Sequence, residues 1–202
     1  MVARIDALYT APAEGEPMAE HDRVTLVSGG VEGDRYSRGT GYYSPFDVCA
    51  VTLVDAAALE TIRDEHGIDL ADGRHRRNVV VRGADLDELL GATFRVGTAS
   101  ADGSGTSRPG DDALRDGTRP GDDSAPGAVL RGTRPRPPCA HLETVAGEEG
   151  VARALRERRG GICAEVVDPG TIGVGDDIVV LEADPRSEGR RIAERLRGSH
   201  GE

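Results

Sequence analysis

The stretch RGTRPRPPCAHLE (131–143) concentrates more chemistry than any other part of this chain. Three arginines, Arg131, Arg134 and Arg136, precede Cys139, two prolines lead directly into it, and a helical pattern starts just after it. Guanidinium charge and a helix N-terminus both favour thiolate over thiol. The Pro-Pro step fixes where the sulfur points. A thiolate held in this way can ligate a soft metal, attack an electrophile or carry a persulfide sulfur. The plain alternative is a half-buried cysteine packed under a loop, as most free cysteines are, which leaves the arginines unexplained.

Two further clusters read as anion handlers. GRHRRN (73–78) places three arginines, a histidine and an asparagine just before a strand, and GDRYSRGTG (33–41) puts two arginines in a glycine-rich loop. Arginine suits bidentate recognition of phosphate, and glycine lets backbone N–H groups approach a ligand. The competing reading pairs these cations with the chain's many carboxylates, an arrangement that contributes little at a surface. His75 alone makes no metal site. Cys49 in VCAVTLV and Cys163 in GICAEVV read as small, inert core residues. An odd count of three cysteines without CxxC spacing predicts neither a disulfide framework nor structural zinc, and reduced thiols in a cytoplasmic setting.

The elements that must position these residues are short and mostly extended. Strands are expected over 2–9, 23–28, 48–54, 78–82, 93–99, 129–134, 162–167 and 177–182, with 11–21 as loop and 31–44 as an ordered, irregular loop. Asp55 caps a helix over 56–66 that Gly67 ends. LDELL (86–90) makes one helical turn, and helices follow over 140–146, 148–159 and, amphipathically, 187–197. Residues 100–128 are Gly, Asp, Pro and Ser with RPGDD repeated at 108–112 and 119–123, a disordered insertion whose flanks are expected to pair as a hairpin. The predicted architecture is mainly β with peripheral helices, a closed or nearly closed barrel over 1–185 interrupted by that insertion, then a C-terminal helix and tail over 186–202.

Composition narrows the function classes. Only six of 202 residues are aromatic, so the core must be aliphatic. A net charge of −11 argues against nonspecific nucleic-acid binding, and no apolar run approaches the ~20 residues of a membrane span. The N-terminal sequence lacks a secretory signal pattern. All 25 basic residues are arginine, none lysine, which suits a protein of a high-salt cytoplasm, where screening weakens repulsion among carboxylates.

Taken in order, EGDRYSRGTGYYS, HRRNVVVRGADLDELLGATFRVG, RGTRPRPPCAHLE and RRGGICAEVVDPGTIGVGDDI resemble the MOSC domain, the module at the C-terminus of molybdenum cofactor sulfurases and of stand-alone proteins. The resemblance spans roughly 24–180 apart from the insertion. It implies a β-barrel with a molybdenum-pterin pocket, Cys139 as Mo ligand or sulfur carrier, and Arg35, Arg77, Asn78, Arg134 and Arg136 holding the cofactor. It further implies either sulfur transfer from a donor, or reduction of an N-oxygenated substrate fed by an electron-transfer protein, since no flavin, haem or Fe–S motif accompanies it. A non-catalytic carrier or interaction module is the alternative. Arg136 stands where close relatives often carry a second cysteine, so a two-thiol relay is absent there. Covalent use of pyridoxal phosphate, mentioned for the wider family, needs a lysine amine that this chain lacks.

Overall fold

The computed structural model describes residues 2–41, 49–97 and 127–184. Most of the insertion, the tyrosines at 42 and 43 and the helix expected over 187–197 lie outside the described residues.

Eleven strands and three helices are described: β1 (Arg4–Thr10), β2 (Ala19–His21), β3 (Arg23–Val27), β4 (Gly30–Val31), β5 (Val51–Asp55), α1 (Ala56–His66), β6 (Val79–Arg82), β7 (Thr93–Gly97), β8 (Ala128–Pro135), α2 (Ala140–Ala146), α3 (Val151–Ala154), β9 (Ile162–Asp168), β10 (Gly170–Gly173) and β11 (Asp177–Glu182). Seven of them close a barrel in the order β1-β6-β5-β9-β8-β7-β11, and β11 returns to β1. The closing seam pairs Arg4 with Asp177, with Ile5 N donating to Asp176 O at 2.9 Å and Ile178 N to Ala3 O at 2.8 Å. Closure removes the open edges that would otherwise invite aggregation. β5 and β6 are parallel and α1 forms the crossover between them; the other barrel pairs are antiparallel. β2 lies outside on β1, and β10, β3 and β4 form a small second sheet.

The barrel interior is aliphatic, as the composition requires. Ile5, Leu8, Leu53, Leu130 and Ile162 surround Phe94, and Leu26 and Ile172 of the small sheet plug into the same core. Each such side chain contributes about 1.5–3 kcal/mol by leaving water. A second cluster outside the barrel joins Ile62 of α1 to Leu142 of α2 and to Val151 and Leu155, and so ties α2 to the wall.

The expected helix over 56–66 forms, with the Asp55 carboxylate accepting from Ala57 N and Gly67 left-handed at φ 68°. The flanks of the insertion pair as expected, Val96 opposite Ala128 and Phe94 opposite Leu130. Strand starts at residues 2 and 78 move to Arg4 and Val79, and Ala19–His21 and Gly170–Gly173, read as loop and turn, are strands. The helix expected over 148–159 shrinks to Val151–Ala154, because Glu157 and Arg158 turn left-handed at φ 57° and 72°.

The cysteine reading needs a larger correction. Cys49 and Cys163 are not separate inert thiols but a disulfide pair across 114 residues, leaving Cys139 as the free cysteine. The antiparallel register sets Thr52 of β5 opposite Cys163 of β9, and the Cα atoms of Cys49 and Cys163 come within 5.2 Å, inside bridging range. Nothing in linear spacing encodes that cross-strand approach.

Candidate functional site

Cys139 stands at the N-cap of α2 in extended backbone conformation, φ −130° and ψ 163°. It is half-buried, packed on one side against the α1/α2 apolar cluster. It also lines a cavity of about 50 Å³, shared with Arg35, Arg76, Arg77, Arg136, Tyr36 and the walls supplied by Pro137, Pro138, Leu142 and Val145. That volume holds a few waters, or the anionic end of a larger ligand whose body lies outside it.

Three separate parts of the chain deliver the four guanidinium groups. Arg35 comes from the turn after β4, which Asp34 organises: its buried carboxylate accepts from Ala11 N at 3.0 Å and Tyr36 N at 3.0 Å and pairs with Arg35 Nη1 at 3.2 Å. Arg35 Nη2 donates to Arg76 O at 3.2 Å. Arg76 itself is left-handed at φ 62°, which throws its side chain into the cavity beside Arg77, where it donates to the Glu16 carbonyl. Arg136 follows β8; its N–H donates to Gly161 O at 2.7 Å, and its Nη2 reaches Tyr36 Oη at 2.7 Å. The Tyr36 ring lies between two cations, 4.9 Å from Arg35 and 5.6 Å from Arg136.

Arg77 is the most constrained of the four. It is 2% exposed; Nε donates to Gly160 O at 2.8 Å and Nη1 to His75 O at 2.6 Å, while Nη2 is buried with no partner. The glycines at 160 and 161 permit this approach. A side chain on Gly160 would meet Arg136 O at 2.3 Å, and one on Gly161, at φ 82°, would meet Leu53 O at 1.9 Å. Burial, and then the neighbouring Arg136, push the Arg77 guanidinium down to about 9, and burial with Arg35 pushes Arg76 down to about 10. Both remain cationic at neutral pH. Such repulsion among buried cations marks a place that gains from an anion.

The structure therefore brings Arg35, Arg77, Arg136 and Cys139 around one cavity. It does not bring Asn78 or Arg134 there. Asn78 is buried and committed: Oδ1 accepts from Thr52 N at 3.2 Å and Thr52 Oγ1 at 2.8 Å, and Nδ2 donates to Tyr9 O at 3.2 Å. It fastens β5 and β1 rather than facing a ligand. Arg134 belongs to β8 and is not among the residues that line the cavity; its Nη1 donates to Pro135 O at 3.3 Å. Arg76, Tyr36, Asp34, Glu14 and His141 were not singled out by sequence. Arg76 and Tyr36 stood inside the two arginine clusters, but which cluster member faces inward depends on φ. Glu14 and His141, paired at 2.7 Å, carried no sequence signal.

A model of the MOSC domain matches residues 44–179. Among solved structures, the YUAD protein from Bacillus subtilis superposes with a TM-score of 0.63 at 20% identity, over 89% of this chain and 96% of that one. YiiM from Geobacillus stearothermophilus gives 0.57 at 14% identity over 89% and 75%, and YiiM from Escherichia coli 0.54 at 15% over 90% and 70%. At these identities the likeness is one of fold. No curated protein matches the chain in sequence. No helix among the described residues is long and apolar enough to cross a membrane. With a fold like that of those structures and its sequence matched from residue 44 to 179, the chain belongs to the MOSC domain family, which is associated with the molybdenum cofactor.

Proposed function

We propose that this protein binds the molybdenum cofactor at the Cys139 cavity and uses it to reduce an N-oxygenated substrate. The observation that carries the reading is the convergence of four guanidinium groups and one thiol, with Arg77 Nη2 buried and unpartnered. The donor set fits the group. A thiolate offers molybdenum a polarisable sulfur ligand, guanidinium pairs suit a phosphate, and an anionic oxygen would satisfy the orphaned Nη2 donor whose burial otherwise costs about 1–3 kcal/mol. When bound, the cofactor supplies a metal able to exchange electrons and to take a sulfur ligand.

The chain's own residues do the rest. Arg77 and Arg136 would neutralise the anionic end of the cofactor, and Tyr36, fixed by its two cations, presents a hydroxyl beside them. Pro137 and Pro138 hold the sulfur in place, while Leu142 and Val145 keep part of the wall dry. The His141–Glu14 pair can hold a proton at the cavity lining. Electrons would come from a separate donor protein.

One observation favours a second reading, in which Cys139 carries a persulfide received from a sulfur donor without turnover of its own. Cys139 is the free thiol while Cys49 and Cys163 are bonded to each other, so no resolving thiol among the described residues would discharge the sulfur prematurely. Purified from a molybdenum-replete host, the protein is expected to contain Mo and pterin near equivalence, and Cys139→Ala to lose Mo while keeping its circular dichroism. Persulfide on Cys139 without Mo would favour the carrier reading. Absence of Mo, pterin and persulfide alike would overturn both.

A further inference from the structure

A second cavity, of about 300 Å³, lies on the other side of the His75–Arg77 segment, outside the barrel wall and against α1. Its volume falls at the lower end of the range typical of small-molecule sites. Its floor is apolar, with Tyr9, Leu59, Leu70 and Val80, and His75 lies among them, 0% exposed. The tautomer of His75 follows from one contact: Nδ1 accepts from Arg77 N at 3.0 Å, so in the neutral ring the proton sits on Nε2. That Nε2–H is buried without a partner. The Tyr9 ring stands edge-on, centroids 5.3 Å apart, and the Tyr9 hydroxyl is already donated to Ala71 O at 2.7 Å. A buried donor left unpaired calls for an acceptor from outside the chain.

The rim carries the opposite polarity. Asp6 and Glu60 hold Arg82 between them at 2.9 and 2.8 Å, and Arg63 pairs with Asp64 at 3.5 Å. Glu20 and Asp69 also line the cavity, and neither forms an ion pair among the described residues. The surplus negative potential registers on Tyr9, whose phenol is held above its ordinary value by burial first, then by Glu20, Asp72 and Asp6.

We propose that this cavity is a second binding site, for a small cation whose apolar body ends in a neutral oxygen acceptor: the acceptor meets His75 Nε2–H and the cation faces Glu20 and Asp69. It is separate from the Cys139 cavity. His75 forms part of the common wall, its ring on this side and its carbonyl holding Arg77 on the other.

The test uses the full chain and two matched probes, N-acetylputrescine and 4-acetamidobutyrate, which share an amide and an apolar chain and end in ammonium or carboxylate. By calorimetry or two-dimensional NMR at low salt, N-acetylputrescine is expected to saturate a single site at least tenfold more tightly than the carboxylate. Glu20→Gln/Asp69→Asn keeps the Asp69 acceptor bond to Ala71 N and is expected to abolish that preference. His75→Asn, which can still accept from Arg77 N, is expected to weaken N-acetylputrescine at least fivefold. The proposal is overturned if N-acetylputrescine does not saturate, if the two probes bind alike, or if the double variant leaves the preference intact.

Discussion

Asn78 and Arg77 are adjacent in the chain and serve different ends. The asparagine directs its three side-chain hydrogen bonds to Thr52 and Tyr9, whereas the arginine keeps a buried Nη2 without a partner. Removing Asn78 strands three buried groups, so Asn78→Ala is expected to lower stability by about 3 kcal/mol in urea denaturation without changing Mo content per folded chain. Loss of Mo at unchanged stability would return Asn78 to the site. His75 supplies a pH signature. Burial, followed by Arg77 and Arg76, lowers its pKa to about 3 from an ordinary 6.5. The unfolded state therefore takes up a proton between these values that the folded state refuses, and stability falls as pH drops below 6.5. The slope is about 1.4 kcal/mol per unit, or about 2 kcal/mol by pH 5. His75→Asn should remove that share of the slope; an unchanged urea midpoint profile between pH 7 and 5 would show that His75 does not stay neutral. Arg77 and Cys139 could be picked out by residue type, because a lone cysteine after clustered arginines and prolines is unusual. Asn78 lies outside the cavity lining, and its type could not foretell that, because an asparagine in a motif looks the same whether it binds a ligand or fastens two strands.

At the scale of elements, the disulfide and the glycine pair hold the site together. Cys49–Cys163 ties the chain just before β5 to β9, and β9 flanks the strand that leads to Arg136 and Cys139. A bridge spanning 114 residues stabilises by about 5 kcal/mol in the chain-entropy account. Dithiothreitol is expected to lower the urea midpoint of the wild type and leave Cys49→Ala/Cys163→Ala unmoved; equal responses would mean that the bridge does not form in solution. Helix α1 was legible because Asp55, the apolar spacing and Gly67 all agree on it. The segment after α3 was not, since EEGVARALRERR (148–159) has good helical composition. Tertiary packing overrides it there: the chain unwinds beyond Leu155 and delivers Gly160 O to Arg77. The short strands β2 and β10 were missed for a related reason, as three or four residues carry too little periodicity to read.

The whole molecule combines an acidic exterior with an arginine-lined interior cavity. Barrel closure was foreseeable from many short strands with glycine at the corners and an aliphatic composition. The seam between Arg4 and Asp177 was not, since strands at opposite ends of the chain carry no sign of meeting. With a net charge of −11 and no lysine, self-repulsion of the folded state should ease as salt rises. The Debye length shrinks from ~10 Å at 0.1 M to ~3 Å at 1 M. The melting temperature is expected to rise between 0.1 and 2 M KCl, and a fall would contradict the high-salt reading of the composition.

The proposed function requires Cys139 to present its sulfur to molybdenum inside a ring of cations. X-ray absorption at the Mo edge tests this directly on protein from a molybdenum-replete host. The wild type should show one more sulfur scatterer per Mo than Cys139→Ser reconstituted with the same cofactor. Identical spectra from the two proteins would contradict it.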